Sequence, residues 1–475
     1  MNRELDLSRR EVIGLGSAAL AAAALPDVLF AAVPGTTEGI GYFARFGVTE
    51  KLIRDALAAA LARGGDYADL YFEHSYYASL ALEDGEVNRG SRYVQLGVGV
   101  RVVKGDQTGY GFTEDLTPDS LLATAKTAAA IATGPARSAP LSLRVSKDVP
   151  NRYPVKRRWE DVKTEERLPV LASLNQKAFA LDPRIKKVNL NFSDEGSVVL
   201  LADSEGRLIE DVRPMTGLYV GIVAEQDGRK ETNGYNVSGR ADLGYYSPDR
   251  LDRVVKEAVQ RTTILFDAVQ PAAGEMPVVL AAGSSGILLH EAIGHGMEAD
   301  FNRKGTSIYA DKIGKPIAKS FVNIVDEGTQ EAARGALNVD DEGTPVGRTN
   351  LVEGGVLTTY LHDTISAKHY GVKPTGNGRR ESYQYAPMPR MRSTYMLPGP
   401  HKTEEIIASV KKGIYCTSFT NGQVNIGPGD FTFYVKNGFL IEDGKLTRPI
   451  KDVNIIGNGP KVLEKVDMVS DDLKI

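Results

Sequence analysis

Cysteine is almost absent from this chain, because its 475 residues include a single one, Cys416. One thiol cannot form an internal disulfide, so stability has to come from the hydrophobic core, and Cys416 is either buried filler or a ligand. A basic excess is missing too, since 57 lysines and arginines face 61 acidic residues and the formal charge is -4. This balance leaves no basic footprint of the kind that nucleic-acid binding needs.

Long hydrophobic runs are also missing, apart from a modest one near the start. Ser8-Arg9-Arg10 is followed by an apolar run from Val12 to Leu25 and then by small residues. The pattern over residues 1–32 resembles a twin-arginine export signal; a short Ala-rich helix or an uncleaved anchor is the alternative. No later segment approaches the length of a membrane span. We therefore expect an exported, periplasmic or extracytoplasmic protein without an integral membrane segment after signal removal.

What is present is an ordinary globular composition, with 42% hydrophobic and 25% charged residues. This length and composition suit two or three domains. Residues 48–267 read as an α+β domain: helices are expected near residues 52–63, 117–132, 164–181 and 248–264. Between them lie alternating segments such as DYADLYFEH and VQLGVGVRVV, separated by Asp-Gly and Lys-Gly-Asp turns. Such alternation and such turns predict an antiparallel sheet.

The chain changes character at Gln270-Pro271. MPVVLAA predicts a buried strand, GSSG a tight turn and ILLHEAIG the start of a helix, and many short strands follow, such as SFVNIVDEG and GQVNIGPGDFTFYV. Residues 271–475 are therefore expected to form a β-rich domain that carries one important helix. The predicted fold class is α+β.

That helix contains the sequence HEAIGH, in which His290 and His295 lie five residues apart. In the familiar zinc-protease helix the two histidines are four apart and share one face. Residues five apart on an α-helix project about 140° from each other, so both rings could not face one ion. A single π-type turn, with a hydrogen bond from i to i+5, would realign them. Gly294 and Gly296 are the residues expected to let the backbone deviate there.

Glu291, next to the first histidine, suits the chemistry of hydrolysis. A hydrolytic metal site needs a carboxylate that takes a proton from the attacking water and later delivers it to the leaving amine. The alternative is that the histidines are ordinary helix-surface residues and that Glu291 is a solvated charge.

A serine mechanism is a second reading of the same region. AGSSG follows a predicted strand and enters a helix, which approximates a nucleophile elbow at Ser284 or Ser285. The remaining members of such a triad would be chosen from Asp340, Asp363, His369 and His401. Serine-rich turns before helices are usually caps, however.

Several ordered segments resemble one family. HEAIGHGMEADFNRKGTS, NVDDEGTP, PTGNGRRESY, PMPRMRSTYMLPG, GQVNIGPGDF and IIGNGP, in that order, look like the TldD/PmbA metallopeptidases, on the TldD side that carries the metal motif. The resemblance implies that His290 and His295 are zinc ligands and that Glu291 is the catalytic carboxylate. It also implies action on extended or unfolded polypeptides inside a closed chamber, together with a PmbA/TldE-like partner or a second copy of the chain.

One departure from the family concerns the third ligand. The resemblance implies a cysteine in a Cys-Gly-Lys type segment after the stretch that corresponds to VDMVSDDLKI, where this sequence ends at Ile475. We expect the sequence to be incomplete at its C-terminus. The alternatives are that Cys416 replaces that ligand, or that Glu298 or Asp300 does.

The expected reaction is zinc-assisted peptide hydrolysis, in which Glu291 is the general base and the developing oxyanion needs positive or hydrogen-bonding groups. Candidates for the oxyanion are Arg379, Arg380, Arg390 and Tyr395, each of which could equally be a structural partner. A β-rich domain favours peptide binding by strand addition and hence broad cleavage of unstructured peptides. The alternative function is a non-catalytic, chamber-forming subunit that binds peptides without cutting them.

Overall fold

The computed structural model describes residues 40–146, 149–283, 286–425 and 427–474. The expected export signal at residues 1–32 and the serines of the alternative mechanism, Ser284 and Ser285, lie outside the described residues. Within the described ranges, no helix is both long enough and apolar enough to cross a membrane.

A seven-stranded sheet organises the first half of the chain, in the order β3-β2-β1-β5-β6-β4, with β7 also paired to β6. Its strands are β1 Tyr67–Glu83, β2 Glu86–Lys104, β3 Gln107–Thr113, β4 Arg144–Val145, β5 Ile185–Asp203, β6 Arg207–Gln226 and β7 Arg229–Gly239. All pairs are antiparallel except β4 with β6. The predicted antiparallel sheet is confirmed.

Asp-Gly dipeptides make the tight turns of this sheet. Asp84 and Gly85, which join β1 to β2, both have positive φ, at 51° and 87°. Asp227 and Gly228, between β6 and β7, repeat the pattern at 52° and 76°. Two successive positive φ angles define the hairpin turn whose twist matches that of the flanking strands, and Asp-Gly is among its preferred sequences. These turns set the strand register.

Four helices cover the sheet: α1 Glu50–Leu61, α2 Pro118–Ala129, α3 Thr164–Leu181 and α4 Pro248–Thr263. Their starts follow local sequence signals, because the Thr49 side chain accepts the Leu52 amide and α2 and α4 carry proline in the first turn. The first two helices pack with β1 and β2 around one apolar cluster, and the last two pack with β5 and β6 around a second. All four predicted helices are confirmed.

The second half of the chain is built from many short strands. They are β8 Val278–Leu280, β9 Ile324–Glu327, β10 Arg348–Glu353, β11 Val356–Leu357, β12 Gly378–Arg379, β13 Met388–Pro389, β14 Ser393–Met396, β15 Lys412–Asn425, β16 Asp430–Glu442, β17 Lys445–Ile450 and β18 Val453–Asn458. The short helices are α5 Gly286–Leu289, α6 Ala299–Arg303, α7 Thr364–Tyr370, α8 Thr403–Ala408 and α9 Gly459–Glu464.

In the part of this half that the structure describes, the strands form three sheets: β17-β16-β15-β8 with β18 on β16, β11-β10-β9-β14, and the pair β12-β13. A third apolar cluster lies among these elements and includes Ile293 and Met297 from the HEAIGH region. The β-rich prediction is confirmed. The expectation that MPVVLAA is a buried strand is wrong, because Val278 and Leu280 are 38% and 37% exposed. The reason is that β8 is an edge strand, which pairs with β15 and with no other strand of the described residues.

A cluster of buried charges joins the two halves; we call it the buried ion cluster. Its members are Asp69, Arg101, Asp211, Arg213, Asp341, Glu342 and Arg380. Arg101 of β2 contacts both Asp69 and Glu342 at 2.5 Å, and Arg380 contacts Asp69 at 2.5 Å. The segment NVDDEGTP, which supplies Asp341 and Glu342, thereby anchors the second half of the chain on the first sheet.

Candidate metal centre

The HEAIGH segment contains the π turn that the spacing of its histidines requires. Residues His290–Gly294 form a single π-helical turn directly after α5, and the His295 amide donates to the His290 carbonyl five residues earlier. The two imidazole rings consequently lie 5.0 Å apart between centroids, at 83°. The expected realignment is therefore confirmed, and π turns of this kind concentrate at functional sites.

The two glycines of the segment are needed for space rather than for backbone freedom. Gly294 has ordinary right-handed angles, φ -61° and ψ -47°, so any residue could adopt its conformation. A Cβ at Gly294 would instead lie 2.2 Å from the Met391 sulfur, and one at Gly296 would lie 2.7 Å from the Tyr309 ring. The expectation that these glycines loosen the backbone is wrong; they allow the turn to pack closely against its neighbours.

The residues after His295 hold the end of the turn in place. The Gly296 carbonyl accepts hydrogen bonds from the Asn302 side chain at 2.8 Å and from the Ser307 hydroxyl at 2.6 Å. Asn302 also donates to the Glu298 carbonyl at 2.8 Å. Carbonyl groups at a helix end have no partner within the helix and need hydrogen-bond donors from elsewhere, such as these two side chains. The sequence from His295 to Ser307 thus folds back on itself to fix the site.

His290, Glu291 and His295 offer ligand atoms that all lie within 4.8 Å of one another. The Glu291 carboxylate lies 3.7 Å from Nε2 of His295, and these two side chains are 28% and 24% exposed. The three residues predicted from the sequence are therefore brought together, partly open to solvent. This arrangement can hold an ion while leaving room for a reactant.

The two histidines have opposite electrostatic environments. Burial, with smaller contributions from His295 and Arg379, lowers the pKa of His290 to about 4, so its ring is neutral near pH 7. The hydrogen bond to Glu298, which places Nδ1 of His295 3.1 Å from a carboxylate oxygen, raises the pKa of His295. Glu298 is fully buried, and Arg390 donates to the same oxygen at 3.2 Å.

This donor set fits zinc. Imidazole nitrogens and carboxylate oxygens are among the ligands zinc prefers, and a neutral ring such as that of His290 has a free lone pair. Glu298 engages Nδ1 of His295 and thereby leaves Nε2 toward Glu291, as carboxylates commonly do behind metal-binding histidines. Glu298 is one of the alternative third ligands expected from the sequence; its contact with Nδ1 of His295 indicates an orienting role instead. Only the folded geometry identifies that contact.

Cys416 lies elsewhere. It is fully buried on β15, in an apolar cluster with Ile414, Val435 and Ile450. Burial raises the pKa of its thiol to about 12, which disfavours the thiolate that metals bind. Among the described residues, the group of potential ligands contains only His290, Glu291 and His295, so neither Cys416 nor Asp300 belongs to it.

The acidic residues of the serine alternative have structural contacts. Asp363 caps α7 by accepting the Ser366 amide. Asp340 accepts backbone amides from Glu342, Thr344 and Gly378. Within the described ranges neither carboxylate bonds to a histidine side chain.

A cavity of about 1260 Å³ adjoins the metal centre. His290 lines it, together with residues of the first sheet and of the segments around β12 and β14. Edge strand β7 contributes Asn236, Val237 and Ser238 to the wall, and β14 contributes Ser393. The centre therefore opens into a space large enough for a peptide segment, bounded by both halves of the chain.

Comparisons with known proteins agree with this architecture. The family model of the PmbA/TldA metallopeptidase C-terminal domain matches residues 273–475, and those of domain 1 and the central domain match residues 68–132 and 157–266. TldE from Thermococcus kodakarensis superposes with a TM-score of 0.71 at 21% identity, over 89% of this chain and 94% of that chain. The α+β fold is thus confirmed.

Closer relatives are named metalloproteases. The chain is 38% identical to "Metalloprotease TldD homolog" of Buchnera aphidicola over 88% of both chains, and 40% identical to the protein of that name from Haemophilus influenzae over 86% of both. It is 30% identical to "Zinc metalloprotease TldD homolog" of Saccharolobus solfataricus over 65% of this chain and 69% of that one. On this identity and coverage, the chain belongs to the TldD/PmbA family of metallopeptidases.

Proposed function

We propose that this chain is a zinc-dependent peptidase that hydrolyses extended or unfolded polypeptides. The π turn carries the proposal, because it gathers two imidazoles and a carboxylate at the wall of a large cavity. The names of the relatives from Buchnera and Haemophilus support peptide hydrolysis, and the name of the Saccharolobus relative supports zinc.

The residues divide the work among them. His290 and His295 would hold the zinc, which when bound supplies Lewis acidity and makes a water nucleophilic near neutral pH. Glu291 takes a proton from the attacking water and delivers it to the leaving amine. Glu298 keeps the His295 ring oriented through Nδ1, and Arg390 holds the Glu298 carboxylate by donating to it.

The cavity wall supports an extended substrate. Strands β7 and β14 are edge strands that line it, and an extended peptide can add to such an edge by main-chain hydrogen bonds. Main-chain recognition is insensitive to side chains, so broad cleavage of unstructured peptides is expected. Equal rates on a folded domain and on its unfolded variant would argue against this substrate class.

We further propose assembly with a PmbA/TldE-like partner or with a second copy of this chain. The fold it shares with TldE supports this, as does the β1–β2 hairpin, whose Val87, Tyr93 and Val94 are 48%, 53% and 55% exposed. Light scattering of the purified protein, alone and mixed with a TldE-like chain, would test it.

Residues 1–32 are proposed to direct export by the twin-arginine route. Fusing them to a reporter that is active only outside the cytoplasm would test this.

Metal analysis combined with Glu291→Gln tests the mechanism. The purified protein should contain about one zinc per chain and lose peptide hydrolysis when a chelator removes it. Glu291→Gln has nearly the same shape, so zinc should remain while hydrolysis falls by about two to four orders of magnitude. Unchanged hydrolysis by this zinc-loaded variant contradicts the role of general base. Loss of zinc instead would make Glu291 a ligand.

The same assays separate the alternatives. A non-catalytic subunit would bind peptides without zinc and without cleavage. A serine mechanism would lose activity in Ser284→Ala and would be unaffected by chelators.

A further inference from the structure

Four polar residues could face the developing oxyanion of this reaction, and their contacts distinguish them. Arg380 is fully buried in the ion cluster, where it contacts Asp69 at 2.5 Å. Arg390 is engaged with Glu298 at 3.2 Å, and the Tyr395 hydroxyl donates to Glu327. Arg379 differs, because its side chain is exposed and forms no hydrogen bond or ion pair with any residue in the described part of the chain.

The backbone of Arg379 is nevertheless held firmly. On one side, the Gly378 amide donates to Asp340 at 2.9 Å, and a Cβ at Gly378 would lie 2.7 Å from the Glu342 carboxylate. On the other side, the Arg380 amide donates to Asp341 at 2.7 Å. The DDE sequence of NVDDEGTP therefore fixes the strand that presents Arg379.

Arg379 shares the cavity with the metal centre. Both Arg379 and His290 line the cavity wall. Other arginines line the same wall, including Arg240 and Arg334. Arg379 is paired with Met388 of β13, and a little further along that segment Met391 packs against Gly294 of the π turn, so the strand that presents Arg379 lies next to the metal centre.

Resting on the proposed peptidase function, we propose that the Arg379 guanidinium donates hydrogen bonds to the carbonyl oxygen of the scissile peptide bond and stabilises the charge that develops there. The water oxygen bonds to the carbonyl carbon, one water proton goes to Glu291, and the carbonyl π electrons move onto the oxygen that faces Arg379. When that intermediate collapses, the C–N bond breaks and the amine leaves with the proton from Glu291. A cation that is free to hydrogen-bond to this oxygen, carried on a strand whose backbone is held in place, is the arrangement that such a step requires.

Kinetics of Arg379→Gln and Arg379→Lys test the proposal. Loss of one oxyanion donor typically lowers kcat by about 10²–10³-fold, and Arg379→Gln should show such a loss with KM little changed. Arg379→Lys should recover part of it, because the charge remains but the planar pair of donors does not. Zinc content and the denaturation midpoint should match those of the parent protein. Arg448→Gln, in an exposed strand position outside the cavity wall, is the matched control and should leave kcat unchanged.

A binding measurement adds a readout independent of turnover. In the Glu291→Gln background, a fluorescent unstructured peptide should bind equally well with Arg379 or Gln at this position, because the ground-state carbonyl carries little charge. A phosphinic peptide, which mimics the tetrahedral oxyanion, should bind less tightly by a factor approaching the loss in kcat.

Unchanged kcat in Arg379→Gln, with the parent active, overturns this proposal alone. A rise in KM at constant kcat also overturns it and would indicate that Arg379 binds the ground-state substrate. A parent protein that contains zinc but cleaves no peptide overturns the proposed function and this proposal together.

Discussion

The metal centre and the buried ion cluster both depend on charged side chains, but they use them in opposite ways. In the ion cluster, Arg101 and Asp69 are at most 1% exposed, and each charge contacts an opposite one. At the metal centre, His295 and Glu291 are about a quarter exposed and lie 3.7 Å apart, beyond hydrogen-bonding distance. Structural charges neutralise one another inside the fold, whereas the candidate reactive groups stay partly exposed and without a close partner for the atoms that would react.

The largest effect is expected at the two histidines. His290→Ala and His295→Ala should each lose zinc and lower hydrolysis by about four orders of magnitude or more, the size seen when a catalytic unit is removed. The stability of the metal-free protein should hardly change in His290→Ala, because this ring makes no hydrogen bond or ion pair with the described residues. His295→Ala should be less stable, because it also removes a partner of the buried Glu298 carboxylate. Metal analysis, peptide assays and urea denaturation measure the three quantities. Retention of zinc by both variants would mean that other residues bind it.

Removal of one buried charge should have the opposite effect: it should lower stability and leave zinc content unchanged. Arg101→Met leaves Glu342 buried without its arginine partner and Asp69 with Arg380 alone, and should lower the free energy of unfolding by about 3–5 kcal/mol. The zinc content of the remaining folded protein should stay normal. Lys51→Met is the control, since Lys51 pairs with Asp55 on the surface of α1 and should change stability by about 0.5 kcal/mol or less. Equal effects of the two substitutions would erase the distinction between buried and surface pairs.

Glu298 shares a property with each region: it is fully buried, like the ion cluster, and it contacts His295, a candidate ligand of the metal centre. Glu298→Gln keeps an oxygen near Nδ1 of His295 but loses the charge, so zinc should bind about 10–100-fold more weakly. Competition with a chromogenic chelator measures this. Glu404→Gln, at the exposed start of α8, serves as control. An unchanged affinity in Glu298→Gln would show that the carboxylate does not orient the ring.

Cys416 should give the smallest effect. Cys416→Ala removes one buried sulfur from the apolar cluster of β15 and should lower the free energy of unfolding by about 1 kcal/mol. Zinc affinity should stay at the parental value, because the thiol lies outside the group of potential ligands among the described residues. Weaker zinc binding by this variant would make Cys416 a ligand after all.

Much of the fold of the first half could be predicted from local sequence patterns. The four helices of the first half and the Asp-Gly turns follow from apolar periodicity, capping residues and the φ preferences of two-residue turns, all of which act over a few neighbouring positions. The burial of β8 was mispredicted for the same reason. An apolar run does not reveal whether a strand is paired on one side or on both, and β8 lies at an edge.

The candidate site, too, was partly predictable from local sequence and partly decided by tertiary contacts. The sequence by itself determined that His290 and His295 could meet only through a π turn, because a helix has a set rotation per residue. It could not determine which polar residues stand beside that turn. The contact of Arg390 with Glu298 behind His295, the close packing of Gly294 on Met391 and the position of Arg379 in the cavity wall all depend on contacts between segments far apart in the chain. Such contacts exist only once the sheets have packed, and tertiary structure alone decides them.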